Sequence, residues 1–328
     1  MLFTQLKGLF SPQAVALHLK GLPKIKTSIM DSCFPGRAQK PFALVGIDDI
    51  LEIVGTAPVI RRGGLSTPVG SGNVSVSMIE PLPVKPSKDI TGQDLNNLRM
   101  ILDQKASLDA WTRDTIVHLR DTCRFTTEAI AATALTGTIR WPVKLDSGDW
   151  DTYEVEFGAP HRENPATLFT DAATKVVDVY EALSNMETAI QDGGYGGEIE
   201  FLAGKTAYKA IYGIVEDYKS TAKLKVSIEA GVIDVGGYKV KKMSEKYRNP
   251  RTGNMVAKVP DGEIVAYAKD APAKVIYCAL DDVDAKLQPY PFFPKPVTLP
   301  EGNGYRIIGQ SKPLPARSPK SICWAKVA

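Results

Sequence analysis

The chain has 328 residues, of which 44% are hydrophobic and 23% are charged, and this composition excludes a disordered tail protein. Forty Lys and Arg residues stand against 37 Asp and Glu residues, so the net charge of +3 excludes a protein whose whole surface binds nucleic acid. Four widely spaced cysteines without a CxxC pair exclude the common zinc spacings and a disulfide framework, and they predict reduced thiols.

The N-terminal residues 1–41 predict an extended basic arm. The segment has no signal-peptide pattern, and no apolar stretch of the chain reaches the ~18 residues of a membrane span, so we expect no membrane contact. Prolines at four positions oppose both a helix interior and a central strand. One acid, Asp31, accompanies six basic residues: Lys7, Lys20, Lys24, Lys26, Arg37 and Lys40.

Residues 42–90 predict a long β-hairpin whose tip is rich in Gly, Ser, Thr and Pro. Apolar and polar residues alternate on its returning side, which is the period of a strand. An isolated two-stranded ribbon is marginally stable in water, so we expect this hairpin to lie on another subunit. Arg61, Arg62, Gly63 and Gly64 form the tip. They fit either a solvated basic turn or a docking contact in which the guanidinium groups meet carboxylates of a neighbour.

Residues 93–136 contain neither Gly nor Pro and predict a long helix. Thr91 and Asp94 have the spacing of a capping box before it, and Gly137 ends it. Forty-four helical residues would extend about 65 Å, longer than a small domain is wide. Two shorter helices or a coiled coil remain open alternatives. A β-hairpin follows at residues 138–158, and the peripheral unit as a whole is predicted to cover residues 91–165.

Residues 166–297 predict a compact α/β domain. A helical apolar spacing begins near Asp171 and ends at Gly193, and a strand at 199–203 precedes a second helix at 207–218. Further strands are predicted at 232–235, 238–243, 264–267 and 275–279. The last residues, 298–328, hold strand-like segments at 305–308 and 322–327 that have no domain of their own. We expect them to return to a domain already built.

The sequence contains no complete catalytic or cofactor motif. Gly204 to Thr206 resembles a phosphate-binding loop, but Ile199 stands where that motif needs a glycine. We interpret this segment as a strand-to-helix turn capped by Thr206. The three histidines (His18, His118, His161) are scattered, and the acids at 149–151 and 281–284 lack a calcium-loop pattern and read as solvated loop acids. We predict no catalytic residue, no cofactor, no metal and no enzymatic activity.

The order of four sequence stretches carries a family resemblance. They are Val59-Ile-Arg-Arg-Gly-Gly64 with 84–86 and 90–94, then 199–210, then 232–247 with 249–253 and Pro260, and finally Gln310-Ser-Lys-Pro-Leu-Pro315. Across residues 42–328 the chain resembles the Hong Kong 97-type capsid fold of tailed bacteriophages, and more narrowly the lambda-type major capsid protein E family. The resemblance implies an α+β fold with an N-terminal arm, an extended loop, a peripheral domain with a long spine helix, and an axial domain.

The same resemblance implies the domain bounds and the partners. Residues 1–41 would be the arm, 42–90 the extended loop, 91–165 the peripheral domain and 166–297 the axial domain, with 298–328 returning to the peripheral domain. The chain would form hexamers and pentamers of an icosahedral head shell, assembled in the host bacterial cytoplasm. Its other partners would be a scaffold, a portal, a decoration protein and packaged double-stranded DNA.

Two functional hypotheses follow for particular residues. The tip residues Arg61 and Arg62 would dock on a neighbouring subunit. The arm would face the packaged DNA through Lys7, Lys20, Lys24 and Lys26. Some relatives of the broader fold form a covalent crosslink between Lys and Asn with the help of a catalytic Glu. We find no such set of three residues in this sequence. A tail-tube subunit is the alternative function, although such a subunit has no need of a 44-residue helix.

Overall fold

The computed structural model describes residues 26–46, 78–91, 93–94, 105–218, 224–299 and 304–328. Within these ranges the helices are α1 (Ser28–Ser32), α2 (Lys105–Ala134), α3 (Val176–Asp192) and α4 (Lys205–Glu216). The strands are β1 (Gly36–Lys40), β2 (Val45–Gly46), β3 (Met78–Ile79), β4 (Ser87–Thr91), β5 (Thr138–Lys144), β6 (Trp150–Glu156), β7 (His161–Glu163), β8 (Ile199–Ala203), β9 (Val226–Glu229), β10 (Val232–Val235), β11 (Tyr238–Lys242), β12 (Lys246–Arg248), β13 (Met255–Ala257), β14 (Glu263–Ala268), β15 (Ala273–Cys278), β16 (Phe293–Thr298), β17 (Gly304–Gln310), β18 (Pro313–Arg317) and β19 (Ile322–Lys326).

The chain divides into two compact units, each built from three segments. The first unit comprises Met1–Leu44, Glu80–Ala132 and Lys274–Pro315. The second unit comprises Val45–Ile79, Thr133–Ala273 and Ala316–Ala328. These cuts differ from the domain bounds expected from the sequence, which stay a prediction.

The first unit is organised around α2. Ile116 and Leu119 of this helix pack with Ile90 of β4 and Ile307 of β17, and all four side chains are buried. β17 lies between β16 and β4 in an antiparallel sheet, so this small core joins three distant parts of the sequence. A second sheet pairs β1 in parallel with β15.

The second unit is organised around a seven-stranded mixed sheet in the order β7-β19-β14-β8-β11-β10-β9. Alternate residues of its strands face α3 and α4, because a strand presents every second side chain to the same side. Leu183 and Met186 of α3 and Ile211 of α4 are fully buried there against Phe201. The resulting core is apolar.

The strand β19 occupies an interior position of that sheet. It pairs antiparallel with β14 and parallel with β7. Its Trp324 is buried, and the indole Nε1–H donates a hydrogen bond to the carbonyl of Leu135 at 2.9 Å. The expected strand at 322–327 is therefore present as Ile322–Lys326 within this sheet, and the return of residues 298–328 to the peripheral domain stays a prediction.

Most strands expected from alternation are confirmed, with shifts of one or two residues at their ends. The helix expected from Asp171 begins instead at Val176. Asp171 belongs to a preceding turn, where its carboxylate accepts the N–H of Ala173 at 3.0 Å. The amide of Lys175 then donates to Asp178 at 2.7 Å and starts the helix.

A helix over Lys105–Ala134, within the predicted range 93–136, is confirmed, and a single helix over that whole range stays a prediction. Gln93 and Asp94 are helical, and α2 continues the pattern from Lys105 to Ala134, whereas residues 95–104 lie outside the described ranges. The expected capping box is present, since the N–H of Thr91 donates to Asp94 at 2.9 Å and the N–H of Asp94 donates to Thr91 Oγ1 at 3.3 Å. None of the described helices combines the length and apolar character that a bilayer crossing requires.

Candidate functional site

The anchor of the N-terminal arm lies on the long helix. Glu128 of α2 is only 1% exposed, and its two carboxylate oxygens accept the backbone N–H groups of Ile29 and Met30, each at 2.8 Å. These N–H groups belong to the first turn of α1, where a helix has no internal acceptors for them. A buried carboxylate at a helix N-terminus satisfies both donors and interacts favourably with the helix dipole.

A second layer of polar contacts surrounds this anchor. Asp31 accepts the N–H of Thr27 at 3.0 Å and forms ion pairs with Arg37 at 3.3 Å and Arg124 at 3.7 Å. Arg124 also donates to Thr27 Oγ1 at 3.2 Å. Residues 27–37 are thus fixed to a helix about one hundred positions later in the sequence.

The predicted arm residues lie before this anchor. Lys26 is exposed at the point where the described chain begins. Lys7, Lys20 and Lys24 lie outside the described residues. The arm and the contacts of its lysines therefore stay a prediction.

The base of the predicted extended loop is a short antiparallel pair. Val45 pairs with Ile79 and Gly46 with Met78, and the side chains of Val45 and Ile79 are buried. Residues 47–77, which include Arg61, Arg62, Gly63 and Gly64, lie outside the described residues. Beyond these two paired positions, the hairpin expected at residues 42–90 stays a prediction.

The chain that follows the loop is held by charged contacts within the first unit. On β17, Arg306 donates to both carboxylate oxygens of Asp89 on β4, at 2.5 and 2.8 Å. This two-point geometry is characteristic of arginine, and the hydrogen bond from Arg306 lowers the pKa of Asp89. The pair joins positions 217 residues apart in the sequence.

A buried lysine lies beside the start of the same segment. Lys312 is 1% exposed, and its Nζ lies 3.0 Å from Asp281 and 3.8 Å from Glu80, the residue that follows β3. A buried ammonium group requires such partners, because desolvation of an unpaired charge is costly. Glu80, which follows the base of the predicted extended loop, is therefore ion-paired with this buried ammonium group.

One acid predicted to be solvated is buried instead. Asp281 and Asp284 are exposed, but Asp282 is buried, with Lys295 at 2.5 Å and the amide of Gln310 also at 2.5 Å. Burial opposes ionisation of Asp282, yet the hydrogen bonds from Lys295 and Gln310 make the net effect a lowered pKa. The interpretation of residues 281–284 as wholly solvated is wrong for this middle carboxylate.

The turn at Gly204 is built for close packing. A Cβ atom at Gly204 would lie 2.0 Å from the carbonyl oxygen of Pro260. The N–H groups of Thr206 and Ala207 both donate to the carbonyl of Asp261 at 2.8 Å. These donors are therefore taken by the chain itself, whereas a phosphate-binding loop needs them free.

The expected cap at this turn is wrong. Helix α4 begins at Lys205 after Gly204, and Thr206 lies inside its first turn. The carbonyl of Asp261 performs the capping role that the sequence assigned to a hydroxyl. A backbone acceptor from a distant loop leaves no local sequence signal.

The described residues offer no arrangement suited to metal binding or thiolate chemistry. Within them, no three His, Cys, Asp or Glu side chains come together as a metal site requires. All four cysteines are free and buried. Burial raises the pKa of Cys123 to about 12 and that of Cys278 to about 11, far from the value of a reactive thiolate.

The anchors of Glu128, Arg306 and Lys312 were missed by sequence reasoning. Each contact joins residues that are far apart in the chain, with the carboxylate of Glu128 accepting N–H groups 98 and 99 positions away. The only available signal was the placement of single charged residues among apolar ones.

Comparisons with known proteins agree with this architecture. A family model described as phage major capsid protein E matches residues 12–327. The chain is similar in structure to a putative capsid protein of a prophage of E. coli CFT073, with 14% identity, a TM-score of 0.60, and coverage of 98% of this chain and 99% of that one. It is also similar to a phage-related protein from Bordetella bronchiseptica RB50, with 12% identity, a TM-score of 0.51 and 97% coverage of both chains. A comparison with curated proteins found no match.

The two structural likenesses show the fold, and the family match extends over nearly the whole chain. The α+β fold of Hong Kong 97 type expected from the sequence is confirmed. The chain belongs to the phage major capsid protein E family and is a structural protein of the phage head shell.

Proposed function

We propose that this chain assembles with copies of itself, as pentamers and hexamers, into an icosahedral shell around packaged double-stranded DNA. Membership of the capsid protein family over residues 12–327 is the observation that carries the proposal. The role is structural, with no catalytic step and no cofactor. Flat subunits of such a shell gain stability when segments of one copy complete another.

The anchoring contacts support an exchange of segments between copies. Glu128 fixes the chain immediately after the arm, and the Val45–Ile79 pair fixes the two ends of the extended loop. A rigid base lowers the entropic cost of placing a projecting segment on a neighbour. We propose that both segments contact other copies.

Particular residues of these segments have proposed roles. Arg61 and Arg62, with Gly63 and Gly64 at the loop tip, dock on carboxylates of a neighbouring subunit. The arm lysines, Lys7, Lys20, Lys24 and Lys26, face the packaged DNA at the inner surface, where their contacts are non-specific and depend on salt.

The assembly pathway is also proposed. The shell forms in the host bacterial cytoplasm with a scaffold and a portal, and its outer surface accepts a decoration protein. The resemblance to lambda-type capsid proteins supports these partners. The tail-tube alternative is disfavoured because the matching family is a major capsid family.

Electron microscopy of the purified full-length protein tests the proposal. We expect closed particles with icosahedral symmetry in negative stain. Tubes, or only small discrete oligomers under every assembly condition, would contradict a shell function. Sedimentation at increasing protein concentration provides an independent measure, since shell assembly has a sharp concentration threshold.

A further inference from the structure

Two exposed hairpin ends of the second unit carry opposite charge. The β12–β13 hairpin, residues 246–257, contains three basic residues and no acid, namely Lys246, Arg248 and Arg251. The tip of the β5–β6 hairpin, residues 145–151, comprises the turn and the first two residues of β6 and contains three acids and no base, namely Asp146, Asp149 and Asp151. All six of these residues are exposed.

The basic hairpin has a well-ordered turn. The side-chain oxygen of Asn249 accepts the N–H groups of Arg251 at 2.9 Å and Thr252 at 3.2 Å. Gly253, at φ +72°, donates its N–H to the carbonyl of Asn249 at 2.8 Å, and Arg248 Nε donates to the carbonyl of Gly253 at 3.1 Å. A turn ordered before binding loses little conformational entropy when it docks.

Apolar side chains accompany the charges on both hairpins. Met255 is 59% exposed and Val256 is 36% exposed on the basic hairpin, and Leu145 is 43% exposed beside the acidic turn. Protein interfaces combine an apolar centre with a polar rim. The two surfaces therefore have complementary charge and the apolar area that a contact needs.

The acidic turn is ordered as well. The N–H of Leu145 donates to the carbonyl of Asp149 at 2.9 Å, and the N–H of Gly148 donates to the carbonyl of Leu145 at 2.9 Å. Ser147 Oγ donates to Asp149 at 2.9 Å. These bonds leave Asp146 at the surface of a defined turn, and Asp151 is exposed at the start of β6.

The two charged sets do not pair within one copy. The hairpins touch through the rings of Trp141 on β5 and Tyr247 on β12, whose centroids are 5.7 Å apart. Among the described residues, however, no ion pair joins the three bases to the three acids. Another molecule can therefore supply the opposite charge to each set.

We propose that the β12–β13 hairpin of one copy docks on the β5–β6 turn of a second copy of this chain. The inference rests on the proposed shell function and specifies one of its contacts. Each copy carries both halves of the contact, so a head-to-tail arrangement of copies can repeat it around a closed ring. Opposite charge selects the register of the two copies, and like charge at the same place is costly.

Two charge-reversed variants test the contact in the full-length protein. The first is K246E/R251E, and the second is D146K/D151K. In the described structure, the side chain of Asp151 accepts the N–H of the neighbouring Thr152, and the other three side chains have no hydrogen bond. Each variant places like charges in the contact, so we expect the assembled fraction to fall by at least about tenfold. The variant K205E/K225E is the matched control for K246E/R251E, because it lowers the net charge by the same amount at exposed lysines outside both hairpins, and it should assemble normally.

An equimolar mixture of the two variants separates a contact between copies from one within a copy. In the mixture, the acidic hairpin of the first variant meets the basic turn of the second, so we expect the two variants to assemble with each other. The quadruple variant, with both charges exchanged, should also assemble. Circular dichroism of the unassembled subunits checks that each variant is folded.

Normal assembly of both double variants would overturn the inference. It would also be overturned if folded double variants fail to assemble and neither their mixture nor the quadruple variant restores shells. Failure of the unmodified protein to form shells would instead contradict the proposed function.

Discussion

Glu128 shows how one side chain fixes the start of the described chain. Its carboxylate is buried and accepts two backbone N–H groups of α1. Removing it leaves two donors without these acceptors in a site with little access to water. The consequence for stability can therefore be measured separately from assembly.

We predict that Glu128→Ala lowers the free energy of unfolding of the unassembled subunit by roughly 2–4 kcal/mol. Urea denaturation followed by circular dichroism is the measurement. Glu181→Ala on the exposed side of α3 is the control, since Glu181 lies at the surface, and it should change stability by less than about 0.5 kcal/mol. Equal effects of the two substitutions would contradict the anchor.

At the scale of elements, local patterns predicted much of the fold. The alternation of apolar and polar residues predicted β8 and β10 with the bounds that are observed. The absence of Gly and Pro predicted a helix over residues 93–136, which contains α2. The order of strands in the seven-stranded sheet could not be predicted, because pairing such as that of β19 with β7 depends on contacts between distant residues. Short elements such as α1 were also missed, since its capping carboxylate comes from another helix.

The candidate site was less predictable than the fold. The basic loop tip and the arm stay predictions from charge and proline placement, whereas the pair of Arg306 and Asp89 gave no sequence signal and is seen only because β17 pairs with β4. The resemblance to a capsid family supplied the functional context. Without that resemblance, the spacing of apolar, proline and glycine residues predicted only a chain of two units with projecting segments.

Two glycines near and within α4 provide a matched test of packing at the element scale. Gly204 faces the Pro260 carbonyl, while a Cβ at Gly213 would meet no atom within 4 Å. We predict that Gly204→Ala lowers the free energy of unfolding by about 1–3 kcal/mol, because the added methyl displaces backbone. Gly213→Ala should raise it by about 0.4–1 kcal/mol, since alanine favours the helix.

Thermal and urea denaturation of the unassembled subunit measure both effects. A neutral or stabilising Gly204→Ala substitution would show that the turn at Pro260 moves aside without cost. Each substitution adds one methyl group, but the two are predicted to change the free energy of unfolding in opposite directions. A general effect of added apolar area would change it in the same direction in both.

At the scale of the whole molecule, the extended loop is the first proposed exchange segment. We predict that Arg61→Glu with Arg62→Glu blocks assembly or lowers the melting temperature of shells, because the reversed charges repel acids of the neighbour. Arg61→Lys with Arg62→Lys retains charge but loses two-point hydrogen bonding, and it should have an intermediate effect. Shells of unchanged yield and melting temperature in the Glu variant would contradict the docking role.

The arm is the second proposed exchange segment. Deletion of residues 2–26 stops before Thr27 and so preserves the contacts of α1 with Glu128. We predict a changed amount of retained DNA or a changed shell expansion, measured as DNA per particle and particle diameter. Replacing Lys7, Lys20, Lys24 and Lys26 by Gln isolates the effect of charge. A change only in binding of an exterior decoration protein would contradict an inner location.

The interior position of β19 has a consequence for protein synthesis. Every other strand of its sheet leaves the ribosome before Ile322–Lys326 does, and β7 and β14 lack their shared neighbour until then. A polypeptide interrupted earlier therefore carries two open strand edges and an incomplete core, which makes it a substrate for cellular proteases. A chain that ends before Ile322 lacks the strand that joins β7 to β14, and we expect it not to complete the second unit.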